Sequence, residues 1–175
     1  MSDATNSFLL QPDMTLSGLT RSVQGFDQNG DVTDINVVEE RPLTIFLNGQ
    51  EIVTAMTIGD YPQYLALGFL KNQGMLSVDE SVLGIDYDDE LETVVVRTDG
   101  QTLYEEKLKK KTRTSGCAVG TVFGDMMEGL DGLELPTAAL RTSWLYSLSN
   151  IINQTPSLYL NAGAIHGTVL CQQDK

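Results

Sequence analysis

Basic side chains are scarce in this sequence. The chain has 11 Lys and Arg against 24 Asp and Glu, which gives a formal net charge of -13. A surface with this balance repels the phosphates of nucleic acids and of anionic lipids. The composition therefore predicts neither a nucleic-acid partner nor a membrane partner, and a polyanionic ligand would need a local basic patch.

Long apolar runs are also missing. No run approaches the roughly 18 apolar residues that a membrane-spanning helix needs, and the first residues are polar, without the basic and apolar blocks of a signal peptide. We therefore expect a cytoplasmic protein.

Residues that bind metals or carry out redox chemistry are few. The chain has two cysteines, Cys117 and Cys171, and one histidine, His166. A reducing compartment disfavours a disulfide, and the spacing of these three residues matches no compact zinc pattern. We predict no metal site.

Turn residues and apolar periodicity predict a mixed α/β fold that follows a loosely ordered lead-in over residues 1–36. Leu43–Leu47, Asn48-Gly49 and Glu51–Met56 form a strong hairpin signal. A helix should follow, capped by Asp60 and stopped by Gly74.

The second half of the chain predicts further strands and helices. A second hairpin is expected from Leu91–Arg97 through Asp99-Gly100 into Thr102–Tyr104, and a short helix from Val122 to about Gly132. An amphipathic helix is expected between Pro136 and Pro156, packed against a sheet. Its apolar stripe comprises Leu140, Trp144, Leu145, Leu148, Ile151 and Ile152.

The run from Ala164 to Cys171 predicts a buried central strand. Such a strand needs neighbours on both sides, and we interpret the end of the sequence soon afterwards as truncation or a split protein. Exposed edges of this strand would favour self-association.

Four sequence blocks resemble the FdhD/NarQ family. They are Glu39–Leu43 with Asn48-Gly49 and Met56-Thr57, then Leu67–Leu70 ahead of Gly74, then Thr114–Gly120 around Cys117, and lastly Gly163–His166. The resemblance covers roughly residues 37 to 171. It implies an N-terminal α+β subdomain over 37–112, followed over 113–175 by the cysteine loop and an incomplete cytidine-deaminase-like subdomain.

The resemblance also implies a function. Cys117 would accept sulfur as a persulfide from a cysteine desulfurase and deliver it to the molybdenum bis-guanine-dinucleotide cofactor for formate dehydrogenase, so the chain would be a sulfurtransferase and, we expect, a homodimer. His166, Gly163, Lys111 and Arg113 would bind the cofactor. Family members commonly carry a second cysteine in the loop, where this chain has Gly120.

Each of these residues has a simpler interpretation as well. A free cysteine is often a small buried hydrophobe, although the Gly and Ser neighbours of Cys117 argue against burial, whereas Cys171 fits a core position. The basic run 107–113 could be a solvated helix face, and His166 a core residue. A non-catalytic subunit that binds the cofactor or a partner is the alternative function.

Overall fold

The structure is a computed structural model that describes residues 16–76, 81–100, 111–114, 120–123, 134, 137, 139–169 and 171, with 111–114 and 120–123 described by their backbone. These residues form strands in three sheets together with helices, so the predicted mixed α/β class is confirmed. The chain divides into two compact units, one of residues 1–39 with 138–175 and the other of residues 40–137. Three consecutive segments were expected from the sequence.

The unit of residues 40–137 is built on a four-stranded sheet. Its strands are β3 (Arg41–Leu47), β4 (Gln50–Thr57), β5 (Val82–Asp88) and β6 (Thr93–Thr98), in the spatial order β4-β3-β6-β5. The two central strands, β3 and β6, run parallel, and each edge strand is antiparallel to its neighbour. Central pairing is therefore made between strands that are distant in the sequence.

The hairpin between β3 and β4 confirms the prediction from Asn48-Gly49. Asn48 has φ 54°, in the left-handed region that asparagine tolerates better than most residues. Its side chain also joins the ends of the parallel pair, because Oδ1 accepts the backbone N–H of Thr98 (2.9 Å) and Nδ2 donates to Thr98 Oγ1 (3.2 Å). One residue thus shapes the turn and ties β3 to β6.

Helix α1 (Pro62–Asn72) confirms the predicted helix, but its start differs. The N-cap position is Tyr61 rather than Asp60, and no side chain makes a capping hydrogen bond. Tyr61 has φ 46° and ψ 56°, and its carbonyl accepts the amides of Tyr64 and Leu65. The chain therefore enters the helix through a left-handed residue, and this geometry replaces the expected aspartate cap.

The end of α1 is the one predicted from Gly74. Gly74 has φ 62°. Its amide donates to the carbonyl of Lys71 (3.0 Å), while the amide of Met75 donates to that of Leu70 (2.9 Å), which is the Schellman pattern. Met75 and Leu70 are both buried, so the cap also supplies a core contact.

The hydrophobic core lies on the face of this sheet that alternate strand residues share. Burial alternates along β3 and β6, as expected for a sheet with one covered face. The buried cluster comprises Leu43, Ile45, Leu47, Ile52, Val53, Ala66, Leu70, Met75, Val94 and Val96. Helix α1 contributes Ala66 and Leu70 to it and packs against β5 and β6.

A short antiparallel pair, β7 (Lys111–Thr114) with β8 (Gly120–Phe123), lies in the same unit. The helix expected to begin at Val122 is wrong at its start, since Thr121 and Val122 are β-branched and pair with Arg113 and Thr112. Residues 124–133 and the Thr102–Tyr104 arm of the second predicted hairpin lie outside the described residues. Within the described part, the antiparallel neighbour of β6 is β5.

The other unit contains a hairpin and two helices. Strands β1 (Thr20–Phe26) and β2 (Val32–Val38) pair in a stretch expected to be loosely ordered, and their turn is held by the Asp27 carboxylate, which accepts the amides of Asn29 (2.8 Å) and Asp31 (3.0 Å). Helix α2 (Thr142–Gln154) confirms the predicted amphipathic helix, although it begins later than Pro136. Helix α3 (Leu158–Ala162) contacts β2.

The predicted central strand from Ala164 to Cys171 is wrong for the residues that can be seen. Residues 165–169 and 171 belong to no strand, and His166 and Val169 are exposed. An apolar run alone does not specify a strand, because a strand also needs a neighbour to pair with. Self-association through this edge therefore loses its structural basis.

Candidate functional site

Cys117 belongs to the five residues that connect β7 to β8, and it lies outside the described residues. The strands on either side are paired in register, with Thr114 opposite Gly120 and Lys111 opposite Phe123. The segment that carries the cysteine therefore begins after Thr114 and ends before Gly120, two residues that are paired with each other.

Lys111 and Arg113, two of the predicted cofactor-binding residues, are both in β7. Their positions are two apart in this strand. They precede Cys117 by six and four residues in the sequence. The chain thus places two cationic residues on one strand that leads into the cysteine segment, and a role in cofactor binding stays a prediction.

Gly163 lies at the end of α3 and makes a turn that glycine is suited to form. Its φ is 66° and its ψ is -166°, a combination that is almost confined to glycine. Its amide donates to the carbonyl of Tyr159 (2.9 Å), and the next residue, Ala164, also has a positive φ of 57°. Two successive residues of this kind turn the chain sharply away from the helix.

His166 follows this turn on an exposed, irregular segment. Its predicted place inside an apolar strand is wrong, and so is the interpretation of His166 as a core residue. An exposed imidazole can accept or donate a hydrogen bond to a ligand without displacing other protein groups. Gly163 and His166 belong to one compact unit and β7 to the other.

Cys171, which the sequence places in the core, is an exposed free thiol. Among the residues that the structure describes, no group of three His, Cys, Asp or Glu side chains could hold a metal ion. Cys171 is therefore an accessible thiol and a natural reference for any test of Cys117.

The acidic turn after β5 has a structural role. The Asp88 carboxylate accepts the amides of Glu90 and Leu91, each at 3.0 Å, and Tyr87 Oη donates to Asp89 Oδ1 at 3.0 Å. Partial burial, followed by the Asp89 carboxylate, raises the pKa of Tyr87. These groups stabilise the turn between β5 and β6, and their hydrogen bonds are used within it.

A similar explanation applies to Asp27 in the turn between β1 and β2. The backbone amides of Asp31 and Asn29 hold the pKa of its carboxyl below the usual range. The carboxylate is thus occupied by local N–H groups, as in an Asx turn.

Comparison with known proteins identifies the lineage. The model of the FdhD/NarQ family matches residues 38–175, which includes the β3–β4 hairpin, α1, the Cys117 segment and the turn before His166. The match therefore covers most of the chain and every predicted site residue.

Curated relatives share the same name at moderate identity. The sulfur carrier protein FdhD of Bacillus subtilis (strain 168) is 24% identical over 160 residues, which are 89% of this chain and 60% of that protein. The sulfur carrier protein FdhD of Wolinella succinogenes is 30% identical over 94 residues, covering 48% of this chain and 30% of that one. The chain thus spans less than two thirds of these relatives' length.

Among solved structures, a protein from Desulfotalea psychrophila described as a formate dehydrogenase accessory protein matches 46% of this chain and 35% of its own. Its sequence identity is 22% and its TM-score is 0.38. The family match over residues 38–175 is sufficient by itself. This chain belongs to the FdhD/NarQ family.

Proposed function

We propose that this chain is a sulfur carrier in the maturation of formate dehydrogenase, with Cys117 as the carrying residue. The observation that supports this most is the family match across the Cys117 segment and both of its flanking strands. Relatives that cover most of this chain are named sulfur carrier proteins. Because the chain spans 60% of the Bacillus subtilis relative, the activity, the substrates and the partners are all part of the proposal.

The proposed chemistry is two successive transfers of one sulfur atom. The Cys117 thiolate attacks the outer sulfur of a persulfide on a cysteine desulfurase, a new S–S bond forms on Cys117, and the desulfurase cysteine leaves as a thiolate. In the second step the S–S bond breaks: the molybdenum of the bis-guanine-dinucleotide cofactor, as the substrate, donates the two electrons that reduce the outer sulfur to a sulfide ligand, and Cys117 leaves as a thiolate. Cationic neighbours favour the thiolate form, and Lys111 and Arg113 stand closely before Cys117 in the sequence.

The substrate would also contact the turn after α3. Gly163 bends the backbone sharply and His166 is exposed, which leaves a hydrogen-bonding side chain open to the phosphates of a guanine dinucleotide. We include Gly163, His166, Lys111 and Arg113 as residues that bind this substrate.

The setting of the reaction belongs to the same proposal. We place the protein in the cytoplasm and as a homodimer, with a cysteine desulfurase and formate dehydrogenase as partners. In the ranges that the structure describes, no helix is long and apolar enough to cross a membrane.

A binding subunit without sulfur chemistry is the second candidate. The observation in its favour is Gly120, which pairs with Thr114 at the start of β8 and supplies no second thiol near Cys117. Such a subunit would bind the cofactor or a desulfurase and leave the sulfur transfer to another protein.

Mass spectrometry separates the two functions. The chain is incubated with a cysteine desulfurase and L-cysteine, and the sulfur carrier should gain about 32 Da, one sulfur atom, on Cys117. Cys117→Ala should lose this adduct, while Cys171→Ala, the matched control at the other cysteine, should keep it. Formate dehydrogenase activity in cells should follow the same order.

The opposite results are equally informative. A wild-type chain that acquires no adduct, or an adduct that survives in Cys117→Ala and disappears in Cys171→Ala, would contradict Cys117 as the carrier. Binding of the desulfurase without an adduct would favour the second candidate.

A further inference from the structure

The turn that carries Gly163 and His166 follows a helix that is too short to hold itself in place. Helix α3 (Leu158–Ala162) has five residues, whereas isolated helices shorter than about 12–15 residues are marginal in water. Its N-terminus is capped by a hydrogen bond from the amide of Leu160 to Ser157 Oγ at 3.3 Å. The position of the turn is therefore set by the surface against which α3 packs.

That surface belongs to the hairpin of β1 and β2. Helix α3 contacts β2, and its first residue, Leu158, is 4% exposed. Leu19, which immediately precedes β1, and Leu158 are the two buried apolar side chains among the described residues of this compact unit. The base of the hairpin is closed by the amide of Glu39, which donates to the carbonyl of Leu19 at 3.0 Å. The hairpin and α3 thus supply the apolar side chains that this unit buries.

A side-chain hydrogen bond also joins the hairpin to α3. Asn36 Nδ2 in β2 donates to Asn161 Oδ1 in α3 at 3.4 Å, across 125 residues of sequence. Asparagine is depleted in strands, because its side chain competes for backbone hydrogen bonds, yet Asn36 lies within β2 and opposite Ser22. The bond to α3 gives a reason for an asparagine at this strand position.

Asn161 lies in the last turn of α3, from which the sharp turn departs. Two residues later, the amide of Gly163 donates to the carbonyl of Tyr159 at 2.9 Å. The chain then passes through Ala164, with φ 57°, to the exposed His166. A bond that holds the side chain of Asn161 therefore holds the end of the helix that aims this turn.

We infer that Asn36 is a positioning residue for the substrate, because its hydrogen bond to Asn161 holds the turn of residues 163–166 where it receives the phosphates of the guanine nucleotide. The inference rests on the proposed role of Gly163 and His166 in binding that substrate. Asn36 acts through Asn161 and requires no contact with the substrate. The family match begins at residue 38, so it includes only the last residue of the hairpin that supplies Asn36.

This arrangement separates substrate binding from sulfur loading. Asn36, Asn161 and the turn of residues 163–166 belong to one compact unit, whereas β7 and β8, on either side of the Cys117 segment, belong to the other. Loss of the Asn36 bond should therefore weaken nucleotide binding and leave the formation of a persulfide on Cys117 unchanged. A general loss of folding would lower both.

Isothermal titration calorimetry of the full chain with guanosine diphosphate (GDP), one end of the proposed cofactor, tests the inference. Asn36→Ala should raise the Kd about three- to tenfold, as expected for the loss of one neutral hydrogen bond. Asn161→Ala should do the same, and the double variant should bind no more weakly than either single variant, because both changes remove the same bond. Ser22→Ala, an exposed neutral side chain opposite Asn36, is the matched control and should keep the wild-type Kd.

Amide hydrogen exchange reports on the turn without any ligand. The amides of Asn161 and Gly163 each donate to the carbonyl four residues earlier. Asn36→Ala should make them exchange about three- to tenfold faster, and Ser22→Ala should not. The adduct of about 32 Da on Cys117 and the urea midpoint should stay the same in every variant.

Unchanged exchange rates in Asn36→Ala, or an unchanged Kd for GDP, would overturn the inference. A loss of the Cys117 adduct together with a lower urea midpoint in this variant would also contradict it, because the residue would then serve the fold as a whole. A wild type that does not bind GDP would contradict the proposed roles of Gly163 and His166, and the exchange rates would still decide whether Asn36 holds the turn. A wild type without the adduct would contradict sulfur carriage alone.

Discussion

Apolar side chains are buried between the four-stranded sheet and α1, whereas most of those in the helical segment α2–α3 are exposed. In the sheet unit, Leu47, Leu70, Val94 and Val96 are completely buried and a helix covers their face. In α2, five apolar residues at helical spacing are left half-buried or exposed. The difference shows that an amphipathic pattern predicts a helix reliably. Whether the apolar face of that helix is buried depends on residues far away in the sequence or on another molecule.

The largest expected difference between the regions comes from two leucines. Leu70→Ala should lower the free energy of unfolding by about 2–5 kcal/mol, because Leu70 has no exposed surface and its removal leaves a cavity. Leu145→Ala should change it by less than about 0.5 kcal/mol at concentrations where the chain is monomeric. Urea unfolding followed by circular dichroism measures both. Equal losses would show that α2 is packed as tightly as the core.

The second largest loss of stability is expected at Asn48. This residue belongs to the sheet unit, and its side chain joins two strands of the core. Asn48→Ala should cost about 2–3 kcal/mol, from strain at a positive φ and from the lost hydrogen bonds to Thr98. Asn48→Gly should cost less, because glycine keeps the turn. Gln50→Ala, in the same hairpin but with a side chain that donates to the carbonyl of its neighbour Glu51, is the control. A glycine variant as unstable as the alanine variant would mean that the side-chain bridge dominates.

Two glycines, one inside α1 and one just after its C-terminal end, should give the smallest effects, with opposite signs. Gly74→Ala should destabilise by about 1 kcal/mol because of its positive φ. Gly68→Ala should stabilise by up to about 1 kcal/mol, since Gly68 lies inside the helix and a methyl group there meets no atom within 4 Å. Thermal unfolding of both variants tests the pair. Destabilisation by Gly68→Ala would indicate that this face of α1 is covered.

The features that the sequence predicted correctly are local ones, namely turns and the end of a helix. Asn48-Gly49 predicts its hairpin because few other residues accept that backbone conformation, and Gly74 predicts the end of α1 for the same reason. The Asp60 cap fails because the chain enters α1 through Tyr61 in a left-handed conformation, which no residue preference indicates. The strand predicted from Ala164 is wrong because an apolar run does not indicate which other strand would pair with it.

The candidate site also has features that the sequence indicates and others that only the structure shows. The Thr114–Gly120 block identifies Cys117 from the sequence, and the paired strands around it appear only in the structure. The exposure of His166 and Cys171 could not be predicted, because burial depends on which elements pack over a segment. The Asp27 carboxylate likewise takes part in a local turn, where it accepts the amides of Asn29 and Asp31.

The sequence by itself determined the turns, the helix periodicity, the acidic charge and the lineage, since each depends on residues that are close together or on composition. Only the tertiary structure decided that β6 lies parallel to β3, that β5 pairs with β6 and that the described residues bury no side chain of α2. The physical reason is that strand pairing and burial depend on interactions between segments that are distant in the sequence and meet only when the chain folds.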